Sequence, residues 1–313
     1  MLTKLTNTDA REITATLVAG ERTGRAGSGQ VLTLIVDTDV EHYDDVRENA
    51  LEAGRLHPSR VLLIVRDPDA IHRHAPVDDE VDTGIDAEVL NGDDLPGEMI
   101  TLWLSGDAER HASSVVRPLL LPELPLAIWW PGAPPENLED HELAFLTQRQ
   151  LVECGKAEDQ MAALRNFAEH HRHGQTDLGW ARLTRWRALL VAMLDHVQSP
   201  VRSAKISAPL DLAPGAIMQA WLRMQLQVDV DWEASAGPGL TGVSFETEAG
   251  EVSLKRVTAT EGLAKLPNSE PVKVALARRR TRELLGEELT RLAGDQMFDA
   301  VIAEIDQHSE AKQ

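Results

Sequence analysis

Cysteine is almost missing from this chain: Cys154 stands alone, so no intrachain disulfide can form, and stability has to come from buried apolar area. Long hydrophobic runs are missing too. Leu119–Leu121 and Ala188–Leu194 fall well short of the ~18 apolar residues that a membrane-crossing helix needs. The first residues, with Lys4, Thr6, Asn7, Thr8 and Asp9, carry no apolar leader segment, so a cytoplasmic protein is expected. Positive charge is scarce: 31 Lys and Arg face 51 Asp and Glu, a formal charge of −20. A surface of that sign repels phosphate backbones and anionic lipid, which excludes nucleic acid and membrane as expected partners. Between Arg73 and Arg110 there is no cation at all, while Asp78, Asp79, Glu80, Asp82, Asp86, Glu88, Asp93, Asp94, Glu98, Asp107 and Glu109 fall inside. That stretch reads as a solvated loop, or as an acidic docking surface for a basic patch.

What is present is the composition of a folded chain long enough for two cores, with 42% hydrophobic and 26% charged residues over 313 positions. Thr8–Arg22 has helical spacing and Arg22–Gln30 is a glycine-rich connection. Val31–Val36 and Val61–Val65 are apolar runs of strand length flanking a helical Asp44–Leu56, which is a β-α-β unit with strands buried on both faces. Glu98–Leu104, a helix over His111–Leu120 and the strand Pro125–Trp130 repeat the pattern, with Ile85–Leu90 antiparallel beside Glu98–Leu104. Gln148–Gly155 reads as the end of a helix carrying Cys154. The expected fold class is therefore α/β, an N-terminal three-layer domain with a mostly parallel sheet over 1–157, followed by a C-terminal α+β domain over 158–313. In the second half, helices are expected over Ala157–His173, Leu178–Val197, Ala213–Leu226, Pro271–Leu292 and Gln296–Ile305. Val201–Ser207 is expected as a strand, and Gly242–Thr247 with Val252–Val257 as a hairpin.

Catalytic patterns are thin. Asp37-Thr38-Asp39-Val40 after the first strand is similar to the opening of Mg²⁺-dependent aspartyl phosphatases. Yet there is no Lys between Lys4 and Lys156 to neutralise a phosphoryl group. His170, His171 and His173 are close in sequence, but neighbouring residues on a helix point about 100° apart and cannot converge on one ion. No metal, no cofactor and no catalytic constellation is expected. Two tryptophan-rich segments stand out because aromatics are only 4% of the chain. Trp129-Trp130-Pro131-Gly132 follows the last strand of the first half, where ligands of open α/β sheets settle. From the Asp177–Arg187 segment onward, Trp180, Leu183, Arg187, Leu190 and Leu194 share one helical face, and Arg182 is placed to lie over Trp186. Trp129, Trp130, Asp177, Trp180, Arg182, Arg185, Trp186 and Arg187 are the candidate binding residues, as inter-domain packing or as a partner surface. The Arg cluster also suits a phosphorylated sugar.

Taken in order, Val31–Val36, His57-Pro58-Ser59-Arg60-Val61, His111-Ala112-Ser113-Ser114-Val115-Val116, Pro118–Pro122, Trp129–Gly132 and Asp177–Leu189 make the chain resemble the OpcA-type glucose-6-phosphate dehydrogenase assembly proteins. The resemblance implies a non-catalytic partner that binds glucose-6-phosphate dehydrogenase and promotes its active oligomer. It thereby implies flux into the oxidative pentose phosphate pathway and NADPH supply. A redox relay through cysteines, attributed to some members, needs a second thiol that this chain lacks. A constitutive assembly or allosteric role is expected instead. The alternatives are a sugar-phosphate-binding regulatory module, and a phosphatase using Asp37 and Asp39.

Overall fold

In a computed structural model, residues 2–22, 29–67, 83–91 and 97–310 are described. The Asp78–Asp82 and Asp93–Asp94 acids and most of the glycine-rich connection lie outside them. In chain order the strands are β1 Leu2–Leu5, β2 Leu32–Asp39, β3 Ser59–Arg66, β4 Ile85–Leu90, β5 Glu98–Leu104, β6 Leu126–Trp129 and β7 Arg149–Val152. They continue as β8 Gln175–Asp177, β9 Val201–Ala208, β10 Val230–Ala234, β11 Gly242–Thr247, β12 Gly250–Arg256, β13 Glu261–Lys265 and β14 Val272–Ala275. The helices are α1 Ala10–Arg22, α2 Tyr43–Leu56, α3 Gly106–Arg110, α4 Ala112–Val116, α5 Gln160–Glu169, α6 Leu178–Arg182, α7 Thr184–Val197, α8 Ala213–Leu226, α9 Thr281–Glu288 and α10 Gln296–Glu310. No helix among the described residues is long and apolar enough to cross a membrane.

The chain divides into two compact units, Met1–Val152 with Thr281–Gly294, and Glu153–Arg280 with Asp295–Gln313. The first is α/β. Its strands lie in the order β1-β4-β5-β3-β2-β6-β7. The β2–β3, β3–β5, β2–β6 and β6–β7 pairs are parallel, and β4 is antiparallel to both neighbours. β2 and β3 are buried at seven of eight positions each, because helices cover both faces of a parallel sheet and leave no solvent side. Leu34, Ile35, Leu62, Leu63, Ile64, Ile100 and Ile128 form its dry centre. Successive strands step outward from β2 to β3 to β5, then β6 returns to the other side of β2, so the order reverses between β2 and β6. α9 arrives from far along the chain and docks on α2: His57 Nε2 is 2.7 Å from the Gly286 carbonyl. A Cβ on Gly286 would stand 2.7 Å from Cδ1 of the exposed Leu56, so a larger residue there would have to turn that side chain aside.

The second unit is α+β. Its mixed sheet runs β10-β9-β11-β12-β13-β14, with β10 parallel to β9 through α8 and the remaining pairs antiparallel. Trp180, Phe245, Phe298, Ile206, Leu254 and Ile302 are buried there. Phe298 of α10 meets Trp180 and Phe167 with ring centres 5.7 and 6.3 Å apart, a tilted aromatic cluster of favoured geometry.

Several elements differ from the sequence reading. Residues 149–152, expected as the end of a helix, are strand β7, because Arg149 and Leu151 pair with Ala127 and Trp129 of β6. Cys154 follows in a short 3-10 turn and is buried. Residues 271–292 are not one helix. Val272–Ala275 adds to β13 as an edge strand, suited by two Val in alternation and by Pro271 just outside the ladder, and α9 begins only at Thr281. His111–Leu120 breaks into α4 and a 3-10 turn holding Pro118, and α5 is confined to Gln160–Glu169 by the Asp159 cap, which accepts from Ala162 N at 2.8 Å.

Candidate functional site

In the first unit the reversal point between β2 and β6 gathers a polar cluster at the carboxyl ends of the strands. Asp37, buried near the end of β2, accepts twice from Arg66 of β3, at 2.8 and 2.9 Å. His141 Nε2 lies 3.6 Å from Asp37 and its ring packs edge-on against Trp130 at 5.3 Å. Burial pushes the His141 pKa down, opposed by Asp37. Both Asp37 oxygens are thus engaged by a bidentate guanidinium, which disposes them as a structural ion pair and not as an open phosphatase nucleophile. Asp39 turns instead to His42, 2.8 Å from Nδ1. Trp129 and Trp130 are 1% and 4% exposed. They wedge the end of β6, and Trp130 N donates to the Leu151 carbonyl at 2.9 Å.

The other six candidates belong to the second unit. Asp177 ends β8 fully buried and accepts from Cys154 N at 2.7 Å and Gly179 N at 2.6 Å. It ties the Cys154 turn to the start of α6. Burial raises the pKa of Asp177 and drives that of the Cys154 thiol well up, with Asp177 adding to the second effect. A thiol held protonated in this way is inert. Trp180, 1% exposed, donates from Nε1 to Asp295 at 2.9 Å and lies under Arg187, whose guanidinium carbon is 3.2 Å from the ring centre. The expected pairing of Arg182 with Trp186 does not form. Arg187, two turns on from Trp180, takes the cation–π position, and Trp186 is overlain by Arg256 at 5.3 Å. Arg182 instead donates to Glu153 Oε1 at 3.0 Å. Arg185 is exposed and donates to the Ala277 carbonyl at 3.1 Å.

Four of the six, Asp177, Arg182, Arg185 and Trp186, border a cleft of about 410 Å³ within the second unit; Trp180 and Arg187 are not among its lining residues. Arg256, Arg278 and Arg279 close it from the other side. The segment after β14 is held by Leu276 N donating to Thr260 O and Arg278 N donating to Ala259 O, at 2.9 and 2.8 Å. It carries its cations toward α6, where Arg279 Nη1 donates to Ala181 O at 3.0 Å.

Against known proteins, residues 50–169 match the family described as glucose-6-phosphate dehydrogenase subunit N-terminal domain, and residues 173–302 match its C-terminal domain. The chain belongs to the OpcA family. An OxPP cycle protein OpcA from Synechococcus elongatus is 28% identical over 164 residues, covering 51% of this chain and 35% of that protein. The aligned part thus spans about a third of that relative's length. Among solved structures, a dehydrogenase (MviM) from Clostridium difficile covers 89% of this chain and 98% of its own at 7% identity and a TM-score of 0.46. A Gfo/Idh/MocA family oxidoreductase from Vibrio cholerae covers 90% and 99% at 11% identity and a TM-score of 0.39. Both likenesses are too slight to bear on function.

Within the OpcA C-terminal match lie three cleft residues that sequence reading passed over, Arg256, Arg278 and Arg279. Their signal was available: Arg278-Arg279-Arg280 is a run of cations in a chain of charge −20. Reading 271–292 as a helix would spread those side chains around its circumference, whereas an extended segment carries them along one edge of the cleft.

Proposed function

We propose that this OpcA-family chain is a non-catalytic, cytoplasmic partner of glucose-6-phosphate dehydrogenase that binds the enzyme and stabilises its active oligomer, thereby supporting NADPH supply. The observation that carries the reading is the succession of both glucose-6-phosphate dehydrogenase subunit domains along one chain, at 50–169 and 173–302. The tie between Asp37 and Arg66 supports the non-catalytic part, since the strand-end carboxylate that sequence singled out is neutralised within the fold. An activator of this kind works by binding the competent assembly more tightly than the incompetent one. A difference of about 1.4 kcal/mol shifts that equilibrium roughly tenfold. Of the eight residues singled out, the buried Trp129, Trp130, Trp180 and Trp186 shape their units, while Arg185 presents charge at the surface.

The test is the specific activity and the light-scattering mass of the glucose-6-phosphate dehydrogenase from the same organism, alone and with this protein at micromolar concentration. A rise in activity together with a joint species of higher mass is expected. Unchanged activity and unchanged mass would sink the reading.

A further inference from the structure

We infer that the cleft of the second unit is a binding site for a small phosphorylated sugar. The inference stands on the cleft alone and does not depend on the partner reading. Six cations line the cleft, Lys156, Arg182, Arg185, Arg256, Arg278 and Arg279, against two carboxylates among its described lining residues, Glu153 and Asp177. The imbalance is the reverse of the whole chain's, where acids exceed bases by twenty. The two carboxylates offset only part of it. Asp177 spends its oxygens on Cys154 N and Gly179 N, and Glu153 serves Arg182.

Backbone carbonyls hold three of the remaining guanidiniums. Arg185 donates to Ala277 O at 3.1 Å, Arg278 to Pro238 O, and Arg256 to Leu276 O and, at 3.4 Å, to Ala259 O. A carbonyl aims a guanidinium but leaves its charge in place. Among the described residues, Arg185, Arg256 and Arg278 make no ion pair. Holding like charges together in a protein rich in carboxylates is costly unless an anion joins them. Burial lowers the pKa of Arg256, and neighbouring Arg278 lowers it further. Forked guanidiniums match the oxygens of a phosphate dianion.

Size and lining narrow the class. A cleft of about 410 Å³ falls in the usual range for small-molecule sites and exceeds what a bare phosphate fills. Leu240, Leu276 and Pro238 give it an apolar wall for a carbon skeleton, and the Gln160 amide can bond a hydroxyl. Trp186 also lines it but is 3% exposed beneath Arg256, so no open aromatic face awaits a nucleobase. That favours a sugar phosphate over a nucleotide. The concave form favours a small molecule over an acidic protein segment.

The experiment is titration calorimetry of the full chain with glucose 6-phosphate, 6-phosphogluconate and ribose 5-phosphate. Glucose, inorganic phosphate, AMP and a hexaglutamate peptide are run beside them. At least one sugar phosphate is expected to bind, more tightly than every one of the other four probes. Arg185→Ala and Arg278→Ala, both at exposed positions, should each weaken it about tenfold or more while leaving the thermal midpoint in place. The inference is overturned if none of the three sugar phosphates binds at millimolar concentration, or if both folded variants bind as the parent does. It is equally overturned if inorganic phosphate or AMP binds as tightly, and tighter binding of hexaglutamate would assign the cleft to an acidic protein segment instead.

Discussion

Three arginines of the first unit and three that line the cleft of the second are held in opposite ways. In the first, Arg60 bonds Glu98 at 2.7 Å, Arg66 grips both oxygens of Asp37, and Arg149 meets Glu288 of α9 where neither side chain is more than 4% exposed. In the second, Arg185, Arg256 and Arg278 rest on carbonyls around an open cleft. A buried charge without a counter-charge is prohibitively expensive, so the parallel sheet admits arginine only as a closed pair. Solvent at the cleft relaxes that demand and leaves charge available for a ligand. The same residue type is thus structural in one place and chemically open in the other, and burial decides which.

The comparison breaks most sharply at Arg149. Arg149→Ala strands Glu288 in the interior and should cost about 3–5 kcal/mol by urea unfolding, whereas replacing both together with apolar residues should recover most of it. An Arg149→Ala protein within about 1 kcal/mol of the parent would show that the pair is not closed in solution.

A second, intermediate effect is expected from histidine in both units. Burial lowers the pKa of His141 and of His171, the first opposed by Asp37 and the second by Asp299 at 2.8 Å. A histidine whose folded pKa lies below its unfolded value binds fewer protons when folded, so stability falls as pH drops from about 6.5 through the folded value. Unfolding free energy should therefore decline between about pH 7.5 and 5.5, and His171→Gln should flatten part of that slope. A slope of the opposite sign would mean that the Asp299 contact outweighs burial.

The smallest effect is predicted at the cleft. Arg185→Ala and Arg278→Ala should each change stability by no more than about 0.5 kcal/mol, measured by denaturant midpoint, because exposed side chains held by a carbonyl contribute little. Loss of 2 kcal/mol or more would place these residues with the closed pairs of the first unit and remove the contrast.

Much of the first unit was legible in advance. Runs such as Val31–Val36 and Val61–Val65 are apolar without alternation, and only a strand covered on both faces needs that, so the parallel core followed directly. The hairpin of β11 and β12 was equally plain from the turn residues between two alternating runs. Boundaries were harder where the chain omits its usual punctuation. α7 and α8 both end in a left-handed glutamine, Gln198 and Gln227, at a position where glycine normally marks the stop.

Short strands such as β1, β7 and β14 were missed because their partners, not their own residues, make them strands. For the candidate site, composition and helical spacing picked out Trp180, Arg182, Arg185, Trp186 and Arg187. They could not say which cation covers which ring, since Arg256 reaches Trp186 from a strand 70 positions away. By itself the sequence determined the α/β class, the acidic surface and the family, all of which rest on local pattern and composition. Only the tertiary structure decided that Thr281–Gly294 joins the first unit and that Arg278 and Arg279 face α6 across a cleft. It also decided that the tryptophans are buried while Arg185 is exposed. Contacts across such separations depend on long-range packing, which no local window of residues encodes.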